Sequence, residues 1–442
     1  MAHHTNSKTM KKIYIFAILI VFAASISSCR KKADTIPYIG ETNKLAYTTY
    51  SEQFEFIWKN ISTGYVFWDI EDTDWDEIYS TYMPKFQELD ARYAAGESIS
   101  IEQINELYSN ILRNMKDHHM TVVIVNIHPL NNEPNYCVIR PSSFEVPNRE
   151  YYFESRTEAR QNILNFLSDI ENEMDGYSII EHESITTYGQ SPADVTYHYF
   201  KIRLDDGRII PYLWQSCAVL TPVMLELGSD SQYGQAATIV EKWFKTIAET
   251  PKEQLAGIIL DNRTNNGGYQ DDLDLLIGSF IDEEVSPLLV RYKEGPGRLE
   301  HSVWMPYTLK PDYRYHRNIA KENIPYVVLC DINSISMGEI EAISISSSIP
   351  TGYSIGERTF GATGPLYDPT MVDITYSGTF GDQHFQNGHY VYTSTFESKF
   401  EEHGIIEGIG FTPDKVILRK DAPEHSFAPQ TEAAIDYIRN YN

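Results

Sequence analysis

The chain of 442 residues carries 36 Lys and Arg against 62 Asp and Glu, a formal charge of −26 at pH 7. Such a surplus of acid argues against nucleic acid as a partner, since phosphate binding needs clustered cations that displace counterions. The length and 42% hydrophobic content predict two or three packed units, and four cysteines with no Cys-x-x-Cys pair argue against a disulfide scaffold or a thiolate zinc site.

Residues 1–28 read as a targeting segment rather than as structure. Lys8, Lys11 and Lys12 precede an apolar run from Ile13 to Ala24 that is too short to span a bilayer. Small residues and then Cys29 follow, in the string ISSC, which resembles the lipobox of a bacterial lipoprotein. The resemblance implies cleavage before Cys29, a lipid on its thiol and export to the cell envelope, facing the periplasm or the outer surface. Residues 29–44 then form a tether, and membrane contact is through the lipid alone. Cys137, Cys217 and Cys330 remain; their number is odd and their neighbours apolar, as for small buried hydrophobes.

From Leu45 to His118 apolar residues recur at helical spacing, first Phe54, Ile57, Trp58 and Ile61, then Ile101, Ile104, Leu107, Ile111 and Leu112. Thr121–His128 is β-branched and reads as a strand; residues 129–150, with four prolines, read as a loop. A helix is expected over Ala159–Met174, a hairpin over Tyr197–Trp214 turning at Asp205-Asp206-Gly207-Arg208, and a helix over Ala236–Thr250. Two strand–turn–helix units follow. Leu255–Leu260 leads through Asn265-Asn266-Gly267-Gly268 into a helix over Gln270–Ile281. Ile324–Cys330 leads through Asn333–Gly338 into a helix over Glu339–Ser348. Such units predict an α/β sheet with its chemistry at the strand C-termini.

Both turns have a plain and a chemical reading. Ser334 or Ser336 either caps the helix that follows or sits beside its unpaired N–H groups, where an oxyanion is stabilised. The Asn-Gly-Gly segment is either a simple turn or a backbone that approaches a substrate closely. Asp261 and Arg263 read as structural, a salt bridge or a loop anchor, and Glu339 as an acid favouring a helix N-terminus. Gly352-Tyr353-Ser354-Ile355-Gly356 fits Gly-x-Ser-x-Gly, but a helix and Pro350 precede it where a nucleophile elbow needs a strand. His384 and His389 read as surface or hairpin residues rather than ligands, and no His-Glu-x-x-His exists.

Taken in order, these segments resemble the carboxyl-terminal-processing (tail-specific) serine peptidase family, which includes the tricorn core protease. DNRTNNGG at Asp261–Gly268 is similar to its D-L-R-x-N-x-G-G signature, and DINSISMGE at Asp331–Glu339 to its nucleophile segment. GERTFGATG at Gly356–Gly364, EGIGFTPD at Glu407–Asp414 and MKDHHM at Met115–Met120 match three further elements, the last of D-x-H type. One departure bears on mechanism: Ala362 stands where the lysine-dependent branch carries its lysine. The resemblance therefore implies the tricorn-like set, with Ser336 as nucleophile, His119 as general acid/base and Glu407 orienting the imidazole. His118 is the alternative base. The oxyanion hole would come from Met337 N–H with Gly267 or Gly268, most simply Gly267.

The same resemblance implies a ClpP/crotonase-like α/β catalytic domain behind an N-terminal helical domain, with no metal or organic cofactor, acting on peptides or proteins. The expected layout is 45–118 helical, 119–205 an insert without a recognisable PDZ module, and 206–442 the peptidase domain. Nothing in the sequence sets an oligomeric state. Two readings of another class stay open: a catalytically weak pseudoprotease that captures peptides, and a lipoprotein that binds carbohydrate or a partner through some of its 31 tyrosines.

Overall fold

The N-terminal helices are capped by their own flanking residues. α1 (Tyr50–Gly64) and α3 (Ile101–Leu112) open with reciprocal capping boxes, Thr49 with Glu52 and Ser100 with Gln103; Asp74 caps α2 (Trp75–Ala94). Their apolar stripes meet in one core, where the Phe54 and Phe86 rings stack at 4.6 Å between centroids. This is a computed structural model that describes residues 47–129, 136–141, 155–173, 176–187, 195–217, 232–366, 376–378, 380–381 and 389–441. The targeting segment, Cys29, the tether and His384 lie outside the described residues.

A four-stranded sheet closes over the helices, in the order β11 (Phe380–Gly381), β12 (His389–Tyr392), β1 (Thr121–Val125), β2 (Tyr136–Ile139). Val122 and Ile124 point into the helical core. The strand expected at Thr121 is present, whereas β2 lies inside the stretch read as loop. Four residues flanked by prolines carry too little alternation to announce a strand. His389, read as a surface or hairpin residue, stands on β12 of the antiparallel β11–β12 pair and is buried, with Nδ1 2.7 Å from the Tyr47 hydroxyl.

The central sheet has seven strands, β14-β10-β9-β6-β5-β4-β3. β5 (Ile209–Gln215), β6 (Ile258–Asp261), β9 (Tyr326–Cys330), β10 (Gly352–Gly356) and β14 (Lys415–Val416) run parallel, and β3 (Tyr177–Thr187) and β4 (Val195–Leu204) continue the sheet antiparallel. Every residue of β6 and β9 is buried, as in a parallel sheet covered on both faces. One face packs Trp243 and Phe244 of α5 (Gln232–Glu249), Leu273 and Leu276 of α6 (Asp271–Gly278) and Ile340 and Ile343 of α8 (Met337–Ser348). A short helix, α7 (Ile319–Glu322), precedes β9. The other face packs Phe166 and Leu167 of α4 (Arg156–Glu173) and Ile435 and Ile438 of α9 (Ala428–Arg439). A small sheet, β13 (Phe396–Phe400), β7 (Val285–Tyr292), β8 (Met305–Leu309), lies outside the main one.

The central sheet therefore runs across the boundary expected at 205/206, because β3 and β4 belong to it. β3 went unread because its sequence, YSIIEHESITT, is mostly polar, as suits an edge strand paired on one side only. Cys137, Cys217 and Cys330 are all free thiols.

Asp261 and Arg263 form an ion pair with both side chains fully buried, N–O 2.6 Å apart. The Tyr212 hydroxyl donates to the same carboxylate. The guanidinium also donates to Phe427 O and Thr431 Oγ1, both at 2.8 Å, and so ties α9 to the end of β6. Replacing one partner strands the other charge. Arg263→Met is expected to cost about 3–5 kcal/mol, read from the urea midpoint; a loss below about 1 kcal/mol would mean that the pair does not anchor α9.

Candidate active site

The two serines after β9 have opposite surroundings. Ser334 Oγ donates to Asn262 O at 2.7 Å and accepts from Asp331 N at 2.9 Å, so it is committed to holding the turn. Ser336 immediately precedes α8 yet its side chain caps nothing. Its backbone stands at φ 55°, ψ −120°, a region closed to most residues with a Cβ, and it makes no side-chain hydrogen bond among the described residues. Of the two readings left open by the sequence, the cap falls to neither serine, and Ser336 is the free hydroxyl.

Gly267 faces it. With φ 89°, a Cβ there would lie 2.6 Å from Ser336 Cβ and 3.1 Å from its Oγ. The two turns are also stitched together by Ile335 N donating to Asn265 O at 2.9 Å. The N–H of Gly267, however, donates to Asn265 Oδ1 at 2.8 Å and is already engaged, against the expectation that it serves an oxyanion. The side-chain oxygen of Asn265, two residues earlier in the same turn, competes for that donor. Met337 N–H, the first of α8, has no acceptor among the described residues.

His119 lies on the turn between α3 and β1. Asp117 builds that turn: Oδ1 accepts from His119 N at 2.8 Å, and Oδ2 from Thr393 Oγ1 at 2.6 Å and Ser394 N at 2.9 Å. One ring nitrogen of His119 and carboxylate oxygens of Asp117 and Glu407 all lie within 4.8 Å of one another. Burial pushes the His119 pKa below its ordinary value; Asp117 opposes this and the Arg156 charge adds to it. Glu407 is fully buried: Oε1 accepts from His118 N at 3.1 Å, and Oε2 from Thr363 N at 2.7 Å and Gly364 N at 3.0 Å. Burial and the Asp117 charge raise its pKa well above the usual carboxylate range.

Glu339 links these two halves. Read in sequence as an acid at a helix start, it is instead fully buried, accepting from Thr359 Oγ1 and Gly361 N at 2.6 Å and Ala362 N at 2.7 Å. The next two residues, Thr363 and Gly364, are those that hold Glu407. Phe360 N donates to Ser334 O at 3.1 Å, which completes the tie to the Ser336 turn. Ala362 is buried against Ile335 and Phe360, so no amine stands there. The structure thus brings Ser336 to Gly267 and His119 to Glu407. Among the described residues no hydrogen bond joins Ser336 to His119, and His119 Nδ1 is buried without a partner.

Metal ligation fits poorly here. Asp117 and Glu407 spend both oxygens on N–H and O–H donors, which suits a hydrogen-bonded carboxylate rather than a cation cage. In a second group, Asp69, His301 and Glu397, Arg291 already pairs with both carboxylates. Ser354, in the Gly-x-Ser-x-Gly segment, lies within β10 and donates to Asp414 Oδ2 at 2.7 Å, so it is structural.

Residues 231–417 match the family model of peptidase family S41. No curated protein matches the chain significantly. Among solved structures, a candidate peptidase from Parabacteroides merdae ATCC 43184 is similar at 18% identity and TM-score 0.57, covering 89% of this chain and 97% of that one. Mature CPAF complexed with lactacystin is similar at 10% identity and TM-score 0.52, covering 89% and 99%. Mature CPAF alone gives 10% identity and TM-score 0.51, covering 89% and 98%. These likenesses establish a shared α/β fold with a helical N-terminal region.

The closeness of Gly267 to Ser336 makes one substitution diagnostic. Gly267→Ala adds a methyl where there is no room and in a left-handed backbone region. It is expected to destabilise the protein by about 1–3 kcal/mol in a thermal or urea melt, whereas an unchanged midpoint would mean that the two turns do not touch.

Proposed function

We propose that this chain, a serine peptidase that belongs to peptidase family S41 through residues 231–417, cleaves peptide bonds through an acyl-enzyme on Ser336. The observation that carries the reading is the Ser336 backbone, held at φ 55° with a hydroxyl that caps nothing. Strain of this kind costs about 1–3 kcal/mol and persists where the side chain must be presented. His119 takes the Oγ proton as Oγ attacks the carbonyl carbon, then returns it to the leaving amine; a water hydrolyses the ester by the same route. Glu407 and Asp117, both near the ring, favour the imidazolium that forms in between. Met337 N–H and the Gly268 side of the turn face the developing oxyanion, Gly267 being engaged by Asn265.

Histidine rather than lysine is the base because the position open to lysine is Ala362, sealed in an apolar cluster. His119 is preferred to His118 because its ring nitrogen is the one gathered with the two carboxylates, while the His118 ring packs 4.9 Å from that of Phe360. We further propose tail-specific processing at the cell envelope, with the chain held by a lipid on Cys29. The pseudoprotease reading draws on one observation, the lack of a Ser336–His119 hydrogen bond, although such bonds are often loose before substrate binds.

Labelling with a fluorophosphonate separates the two. The wild type is expected to label, Ser336→Ala and His119→Ala not to, and the label to leave the membrane fraction in Cys29→Ser. No labelling of the wild type sinks the catalytic reading; full labelling of His119→Ala sinks histidine as base. The lowered His119 pKa keeps the imidazole neutral below pH 6.5. The acid limb of kcat/KM is therefore expected below that pH. The stability that His119 contributes is full above 6.5 and is eroded as pH falls towards its folded pKa. An acid limb above 6.5 contradicts the assignment.

A further inference from the structure

Behind the turn that faces Ser336 runs a chain of buried polar side chains that the mechanism does not use. It starts at Glu341 on α8, whose Oε2 accepts from Gln215 Nε2 at 2.6 Å and from Asn262 Nδ2 at 2.7 Å. Asn262 Oδ1 accepts from Gln215 Nε2 at 2.9 Å and from Asn265 Nδ2 at 3.3 Å. Asn265 Oδ1 in turn accepts from Gly267 N at 2.8 Å. All four side chains are buried, and Glu341 Oε1 has no hydrogen-bond partner among the described residues. Burial and the Asp272 charge raise the Glu341 pKa well above the usual carboxylate range. Packing does not ask for such a group, because a buried acid with an unpartnered oxygen is costly. In the D-L-R-x-N-x-G-G signature that Asp261–Gly268 resembles, the position of Asn262 is leucine.

An amide side chain can be placed either way round, so the direction of this chain has to be set by something. It is set at both ends by groups with a single role. Glu341 Oε2 accepts, as does Gly338 O, 3.3 Å from Asn262 Nδ2, whereas Gly267 N–H donates. Between those ends Asn262 and Asn265 each turn the NH2 group towards Glu341 and the oxygen towards Gly267. The turn they reach has little stiffness of its own, with Gly267 at φ 89° and Gly268 at φ 159°. Two contacts fix it. Asn265 Oδ1 takes the Gly267 N–H, and Cys217 Sγ, 2.7 Å from Gly267 O, holds the next peptide plane. Gly268 N–H lies in that same plane, trans to the held oxygen, and has no acceptor among the described residues.

We propose that Glu341 is a positioning residue for the oxyanion turn: through Asn262 and Asn265 it withholds the Gly267 N–H and holds the turn with Gly268 N–H as the donor to the developing oxyanion. This rests on the reading of Ser336 as a peptidase nucleophile. Glu341 touches no reacting atom. Its effect falls where negative charge develops and not on ground-state binding, so it acts on the rate of the chemical step and leaves the affinity for the reactant alone.

The test uses the full chain, a fluorophosphonate and isotope-labelled glycine. Labelling forms the bond from Ser336 Oγ to phosphorus, expels fluoride and leaves the phosphoryl oxygen at the oxyanion position, so its maximal rate reads the same donors. Glu341→Leu removes the accepting oxygen. The maximal labelling rate per folded molecule is expected to fall about tenfold with the half-saturating concentration unchanged. The Gly267 amide is expected to exchange with solvent about tenfold faster, read by nuclear magnetic resonance. Glu341→Gln keeps an oxygen that accepts from both amides and is expected to stay near the wild type in both measurements. Should Glu341→Leu fail to fold, Asn262→Leu breaks the next link with the residue of the signature, and the same two changes are expected. An unchanged maximal rate in the leucine variant, a change confined to the half-saturating concentration, or Glu341→Gln as impaired as Glu341→Leu overturns the proposal. So does a Gly267 amide that exchanges as fast in the wild type as in the variant. A wild type that does not label overturns the peptidase reading, while the Gly267 exchange rates still decide whether Glu341 holds the turn.

Discussion

The geometry of the site depends on two buried carboxylates that share one loop. Glu339, a turn into the helix that follows Ser336, holds Thr359, Gly361 and Ala362. Glu407 holds Thr363 and Gly364 with one oxygen and the His118 N–H with the other. A continuous path of hydrogen bonds therefore runs from the helix that follows Ser336 to the histidine turn. A carboxylate without partners in such a place would be expensive, so each backbone N–H that faces one is fixed in position. This is how two turns more than two hundred residues apart in sequence are kept at one place.

The sheet provides the platform. β6 and β9 are parallel neighbours that end at the same level, and their C-terminal turns carry Gly267 and Ser336. Asp261 and Arg263 attach α9 to the end of β6. The turn after β9 holds a backbone strained at Ser336, fixed by Asp331 and Ser334.

Much of this was legible in the residues. The helices of 50–112, the β6 and β9 units and the ion pair follow from periodicity, buried β-branched runs and turn composition. The order of short motifs resembles a peptidase family, and Ala362 at the lysine position points away from a lysine base. What was missed has a common cause. β3 is a polar edge strand, and β2, β7 and β8 lack strong alternation, so their pairing is set by partners distant in sequence. Glu339 looked like a helix-favouring acid because its three donors come from a segment some twenty residues away.

By itself the sequence determined the fold class, the helical N-terminal region and which short segments carry reactive groups, because these depend on local pattern and residue chemistry. The tertiary structure decided what each group is free to do. It engaged Ser334 in the turn and left Ser336 without a side-chain hydrogen bond among the described residues, gave the Gly267 N–H to Asn265 and buried His389 against Tyr47. Each of those outcomes is a contact between separate parts of the chain, and hydrogen-bond occupancy is fixed only when both partners are in place.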